Sequence, residues 1–278
     1  MNHDNNSETG LELTGDQVEF FNTFGYVVLK QFFSADELAT IRREFDHAMN
    51  AQYAHKPFDG TARHWTMMME PSTPFFASLM EQSHLLSIAK RFYGEDVLGI
   101  GVDANRYVGN SNWHRDTRTV LQYGIKFAFY LEPVDADSGA LRVIPGTQRL
   151  PDDEAFGVGV RKQSIEQVPA QVLASEPGDI VGFDLRLWHA SYGGSDDRHM
   201  CTVVYYANPK TLEGEQVLRE QAARNVEISF KKFGCKRQYM YSRAWFANPE
   251  RNPDRQWWID RLSQLGYFEP PGVVESAT

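Results

Sequence analysis

The segment Trp113-His114-Arg115-Asp116, followed far downstream by Leu187-Trp188-His189 and then Arg198, gathers the side chains of this sequence best suited to hold a metal ion. In an extended chain, residues two apart project to the same side, so His114 and Asp116 can face one point. His189, from a distant segment, completes three ligands. Two imidazoles and one carboxylate on a single face of an octahedron leave three positions open, an arrangement suited to non-haem Fe(II) oxygen chemistry. The same donors also admit Zn(II) or Mn(II), as in a cupin-type metal hydrolase or isomerase, and a jelly roll that keeps such a pocket can serve as a non-catalytic ligand-binding protein. With 8 histidines in the chain, a His-x-Asp triplet arises readily by chance, so its weight comes from context. His189 follows Gly178-Asp179-Ile180-Val181-Gly182-Phe183, which reads as a strand, and the Gly-rich turn Tyr192-Gly193-Gly194-Ser195 leads on to Arg198 and another strand.

The elements around these residues read as strands. Leu98 to Val108, Val120 to Leu131, Ala140 to Ile144, Asp179 to Phe183 and Met200 to Tyr206 are short runs rich in Val, Ile, Phe and Tyr, separated by turn clusters such as Asp135-Ala136-Asp137-Ser138-Gly139. No strand–helix alternation occurs between Val97 and Ala207, which argues against a Rossmann-type sheet and for an antiparallel barrel or jelly roll. Upstream, capping-box spacing at Thr14/Gln17 and Ser34/Glu37 predicts two helix starts. The second helix is expected from Ala35 to about Gln52, with Leu38, Ile41, Phe45 and Met49 on one face, and Tyr26-Val27-Val28-Leu29 is a strand between the two. Helix returns at about Glu213 to Phe230 and Asp254 to Leu265. No repeat, low-complexity tract or linker marks a boundary. One domain is expected, with a core at about 97–207, N-terminal helices at about 14–93 and C-terminal helices at about 213–265.

Composition narrows the function. A chain of 278 residues with 28 Lys+Arg against 37 Asp+Glu carries a net charge of −9, which disfavours nucleic acid as a partner. Two cysteines, Cys201 and Cys235, are too few for a disulfide framework or a Cys-built zinc site and fit a reducing, cytoplasmic location. Met1–Gly10 lacks the basic start and apolar run of a secretory signal, and no apolar run approaches the roughly 20 residues of a membrane span. The remaining candidates have structural readings. Trp188 points away from His189 and packs, and Met67-Met68-Met69 fills core. The aromatic C-terminal segment (Tyr239, Tyr241, Trp245, Phe246, Trp257, Trp258) packs on the barrel or makes a homo-oligomer contact. Arg118 shares the face of His114 and Asp116 if the strand continues, which makes it a candidate substrate contact.

In order and spacing, several motifs resemble those of the phytanoyl-CoA dioxygenase-like (PhyH) family of Fe(II)/2-oxoglutarate dioxygenases. These are Asp16-Gln17-Val18-Glu19-Phe20-Phe21 with Gly25-Tyr26-Val27-Val28-Leu29, then Trp113-His114-Arg115-Asp116, Ser138-Gly139-Ala140-Leu141-Arg142-Val143-Ile144-Pro145-Gly146-Thr147, Pro177-Gly178-Asp179, and Trp188-His189-Ala190-Ser191 through Arg198. The resemblance spans about Thr14 to Pro209. It implies a mainly β double-stranded β-helix (a cupin-like jelly roll) with flanking helices, Fe(II) held by His114, Asp116 and His189, and 2-oxoglutarate and O2 as co-substrates. Arg198 matches the arginine that grips the distal carboxylate of 2-oxoglutarate, Ser191 a position that bonds the same carboxylate, and Lys126 a further 2-oxoglutarate contact. The implied reaction oxidises a small-molecule metabolite, usually by hydroxylation, with release of succinate and CO2. An aspartate at 116, where related halogenases carry a small residue, implies hydroxylation over chlorination.

Overall fold

Thr14 caps the first helix as its spacing predicts: its hydroxyl accepts from the Gln17 N–H while the Gln17 side chain accepts from the Thr14 N–H, and Ser34 and Glu37 repeat the arrangement. The computed structural model describes residues 13–117, 119–151, 154–194, 196–233 and 241–267. The helices are α1 (Gly15–Phe24), α2 (Ala35–Gln52), α3 (Pro74–Ser78), α4 (Ser83–Tyr93), α5 (Glu154–Arg161), α6 (Leu212–Phe233), α7 (Arg243–Ala247) and α8 (Pro253–Gln264). Gly25, with φ 82°, ends α1 in the left-handed region and returns its N–H to the Phe21 carbonyl, which swings the chain directly into the first strand.

The strands are β1 (Tyr26–Leu29), β2 (His64–Met67), β3 (Leu98–Tyr107), β4 (Ser111–His114), β5 (Gly124–Tyr130), β6 (Leu141–Val143), β7 (Gln171–Leu173), β8 (Ile180–Asp184), β9 (His189–Ser191) and β10 (Arg198–Tyr206). They form two antiparallel sheets, ordered β1-β8-β5-β10-β3-β2 and β4-β9-β6-β7. This is the expected jelly roll with flanking helices. The predicted strand at Val120 starts only at Gly124, because the Gln122 N–H closes a turn on Thr119. The strand beginning at Met200 starts earlier, at Arg198, paired with Tyr107. Sequence patterning did not mark β2, β7, α4 or α5.

Period-two alternation divides the large sheet into an apolar and a polar face. On one face Ile100, Val102 and Ala104 of β3, Ile125, Phe127 and Phe129 of β5, and Cys201, Val203 and Tyr205 of β10 join Ile41, Phe45 and Met49 of α2 and Leu85, Ile88 and Ala89 of α4 in a single core. The opposite face of the same strands lines a cavity. Met67, Met68 and Met69 are buried in that core, as are Tyr241, Trp245 and Trp258 of the C-terminal segment, whereas Tyr239 lies outside the described residues.

Trp258 fastens α8 to the sheet. Its indole N–H donates to the Val97 carbonyl at 3.0 Å, and Gly99 makes room for the ring, since a Cβ there would lie 2.8 Å from it. Trp258→Ala should therefore cost about 3–5 kcal/mol through lost burial and a cavity. Urea unfolding should show this as a lower midpoint at unchanged slope, and a loss below about 1 kcal/mol would show that α8 is only loosely attached.

Candidate metal and co-substrate site

His114 ends β4 and His189 begins β9; the two strands pair with these residues directly opposite one another. Each imidazole is fixed by its Nδ1, which lies 2.7 Å from the Asn112 carbonyl in His114 and 2.9 Å from the Leu187 carbonyl in His189. Those contacts set the tautomer and leave both Nε2 atoms as acceptors, the state a metal ion requires. Asp116 is not on the strand, contrary to the alternation argument. It sits in a bend after β4 whose N–H donates to the Leu185 carbonyl at 3.0 Å. The bend turns its Oδ1 to within 3.9 Å of each Nε2, and His114, Asp116 and His189 together offer three ligand atoms lying within 4.8 Å of one another.

Electrostatics prepare these groups for a cation. Burial, and then the neighbouring His114, push the His189 ring down to about 3, so it is neutral at physiological pH. For Asp116, burial alone would raise the carboxyl, but Lys126, His189 and His114 outweigh it and hold the group well below the usual carboxylate range. The Lys126 ammonium lies 2.7 Å from Asp116 Oδ2, leaving Oδ1 as the oxygen turned to the histidines. Two imidazoles and one ionised carboxylate on one side of an open cavity are a donor set that fits Fe(II).

The cavity has a volume of about 170 Å³ and its wall includes the three ligands, Lys126, Ser191 and Arg198. Arg198, the first residue of β10, is 2% exposed. Its guanidinium donates to Ser191 Oγ at 3.3 Å and to the Gly109 carbonyl at 3.4 and 3.5 Å, and its Nε has no hydrogen-bond partner among the described residues. Tyr107 lies beneath it, ring centroid 5.1 Å from the guanidinium carbon. Gly139, with φ 91°, lets the turn before β6 press against this group: a Cβ there would stand 1.9 Å from Nη1. A buried cation with no carboxylate partner among the described residues is costly unless a ligand supplies the anion.

Arg118 lies outside the described residues. Trp188 points away from the cavity, as its position predicts, and packs with Trp113 and Val160 while Arg115 and Arg161 stack on its ring at 5.8 and 5.3 Å. Sequence reasoning passed over Asp103, Asn105, Tyr107 and Arg63, which also line the cavity. The signal was available: polar Asp103, Asn105 and Tyr107 recur at period two in a strand otherwise apolar as far as Ala104.

Residues 21–200 match the family described as Phytanoyl-CoA dioxygenase (PhyH), more than half of the chain. The chain belongs to this family. Ectoine dioxygenase of Sphingopyxis alaskensis is 22% identical over 240 residues, covering 72% of this chain and 78% of the relative. Its structure with 2-oxoglutarate and 5-hydroxyectoine superposes with a TM-score of 0.56, covering 70% of this chain and 77% of the other at 22% identity. HygX from Streptomyces hygroscopicus, solved with nickel and 2-oxoglutarate, gives a TM-score of 0.59 at 16% identity, covering 72% and 88%. The likeness to EvdMO1 (TM-score 0.56, 22% identity) covers 70% of this chain but only 50% of that larger one.

Two outcomes test the site. Unfolded His189 takes up a proton near pH 6.5, whereas in the fold it stays neutral down to about 3, so the unfolded chain binds more protons in that window. The metal-free protein should accordingly lose stability as pH falls below about 6.5. His199, raised overall by Glu132 and Asp197 against the effect of burial, acts in the opposite sense. Melting His189→Gln beside the parent isolates the His189 contribution: its curve against pH should be flatter, and an unchanged slope would contradict the depressed value. Separately, Gly139→Ala should displace Arg198 and weaken 2-oxoglutarate binding, measured by calorimetry, while metal binding persists.

Proposed function

We propose that the protein is an Fe(II)- and 2-oxoglutarate-dependent dioxygenase that hydroxylates a small-molecule metabolite and releases succinate and CO2. The observation that carries this reading is Arg198, a buried guanidinium without a carboxylate partner among the described residues, in the same cavity as the His114, Asp116 and His189 donors. A hydrolase or isomerase using the three ligands alone has no need of such a cation, and the distal carboxylate of a dicarboxylic co-substrate supplies its counter-charge.

Bound iron supplies the oxygen chemistry, by which one atom of O2 enters the co-substrate as its 2-oxo acid end is lost as CO2 and the other enters a C–H bond of the substrate. The chain's own residues do the rest. His114 and His189 offer Nε2, and Asp116 offers Oδ1 while Lys126 holds its Oδ2. Arg198 and Ser191 receive the distal carboxylate, fixing both the position and the rotation of 2-oxoglutarate. Phe183 and Ala128 on the wall keep the cavity partly apolar, which strengthens every charge interaction within it. Lys126, bonded to Asp116 and facing the same space, also draws the 2-oxo acid end toward the ligands.

Succinate formation should depend on both Fe(II) and 2-oxoglutarate and should vanish in His114→Ala and Asp116→Ala, with metal content falling in parallel. Arg198→Ala should raise the 2-oxoglutarate requirement roughly 30-fold or more, the scale of removing one partner of a buried charge pair, with iron retained. A zinc-loaded protein that turns substrate over without 2-oxoglutarate would sink this assignment. An unchanged co-substrate requirement in Arg198→Ala would move the carboxylate anchor to Lys126.

A further inference from the structure

His199 follows Arg198 on β10 and, by strand alternation, turns to the opposite face, where its ring lies against Phe45 of α2 with centroids 4.8 Å apart. Each ring nitrogen faces a carboxylate: Nδ1 is 3.4 Å from Glu132 Oε2 and Nε2 is 3.1 Å from Asp197 Oδ1. Glu132 Oε1 also accepts the His199 backbone N–H at 2.5 Å. A neutral imidazole has one N–H and would turn a lone pair on one of the two carboxylates, so this geometry calls for the imidazolium. Further charges stand around the cluster. Arg106 of β3 donates from Nε to Asp197 at 2.9 Å, Asp46 of α2 acts on Arg106, and Arg42 of α2 donates to the Leu131 carbonyl. His64 of β2 lies opposite Arg106.

The same two carboxylates stand at the ends of two loops that enclose Arg198. Glu132 opens the loop that runs to Gly139, and Asp197 closes the turn that carries Gly193 and Gly194. A Cβ at Gly139 or at Gly194 would collide with Arg198 Nη1, and one at Gly193 would collide with the Asp137 carbonyl. Both loops therefore press on the guanidinium and on each other, and the His199 ring bridges their strand ends. Arg106 holds Asp197 whatever the charge of the ring. Glu132 is the partner that depends on it.

Building on the dioxygenase reading, we infer that His199 is a positioning residue for the co-substrate: as an imidazolium it clasps the two loops that enclose Arg198, and 2-oxoglutarate binds more weakly once the ring loses its proton. Deprotonation turns a lone pair on Glu132, the loop from Glu132 to Gly139 loosens, and the wall that fixes the guanidinium yields. Glu132 and Asp197 also raise the ring's pKa above its ordinary value against the effect of burial, so the clasp is closed at low pH and opens as pH rises.

Calorimetry of 2-oxoglutarate binding to the Fe(II)-loaded protein under argon, from pH about 6 to about 9, brackets the titration of the ring. The Glu132 and Asp197 side chains are 33% and 35% exposed, so the affinity should fall by roughly threefold or more across this range, the upper part of the scale for a partly exposed ion pair. His199→Gln and Glu132→Gln should each flatten the profile. A merely structural role would instead lower affinity by one factor at every pH and leave the shape unchanged. Reciprocity adds a readout in the parent protein that stands even if a variant fails to fold: saturating 2-oxoglutarate should raise the midpoint of the His199 ring, followed by NMR in the Zn(II)-loaded protein. A flat profile in the parent, a pH dependence that survives in either variant, or a ring midpoint that 2-oxoglutarate does not move would overturn the inference. Binding with a flat profile sinks this inference alone, whereas absence of 2-oxoglutarate binding at every pH sinks the dioxygenase reading and this inference with it.

Discussion

Two backbone carbonyls in one turn, Leu185 and Leu187, hold the metal-binding geometry together. The first accepts the N–H of Asp116 and the second receives Nδ1 of His189, so a turn of a few residues aims two of the three ligands. The turn is itself anchored. The Leu185 N–H donates to Gly124 at the start of β5 and the Asp184 N–H to Gly25 at the end of α1, while the Asp184 carboxylate accepts from the Tyr93 hydroxyl at 2.8 Å and from Arg186 at 2.9 and 2.6 Å. Backbone donors and acceptors at this depth have to be paired, and here each pairing also constrains a ligand. The β8–β9 turn thus joins the large sheet, the small sheet and the N-terminal helix at one point.

Around that point the cavity alternates in sign. Asp116 is matched by Lys126, Asp103 is tied to Arg63 through a buried amide, and Arg198 lies between Tyr107 and the Gly139 turn. Buried charges of this kind add little to stability and are retained where geometry or recognition needs them. The apolar side of the same strands supplies the stability, with Phe127, Phe129, Val203 and Tyr205 packed beneath the helices. A single strand such as β10 therefore serves both tasks on alternate residues.

Features encoded locally were legible in the sequence. The capping boxes at Thr14 and Ser34 involve residues three apart, and the long strands β3 and β10 announce themselves by β-branched and aromatic runs. The three candidate metal ligands stood out through motif order, and the fold brings them together. What escaped were features fixed by distant partners. His64–Met67 and Gln171–Leu173 are strands because β3 and β6 lie alongside to accept them, and neither segment carries enough pattern of its own. The bend that aims Asp116 depends on a carbonyl 69 residues downstream, which a reading of the segment as continuous strand does not foresee. The Lys126–Asp116 pair was equally hidden, since a strand lysine reads by default as solvated.

The position of β10 between β5 and β3 has a consequence for how the chain assembles. The strand at the middle of the large sheet is the last of its six in sequence, so two long hydrogen-bonding edges stay open until Tyr206 has been synthesised. Loop-closure entropy delays such non-local pairing, and open edges invite pairing between chains. Arrival of β10 pairs the open edges of β5 and β3 and seats Arg198 in the cavity wall in the same event.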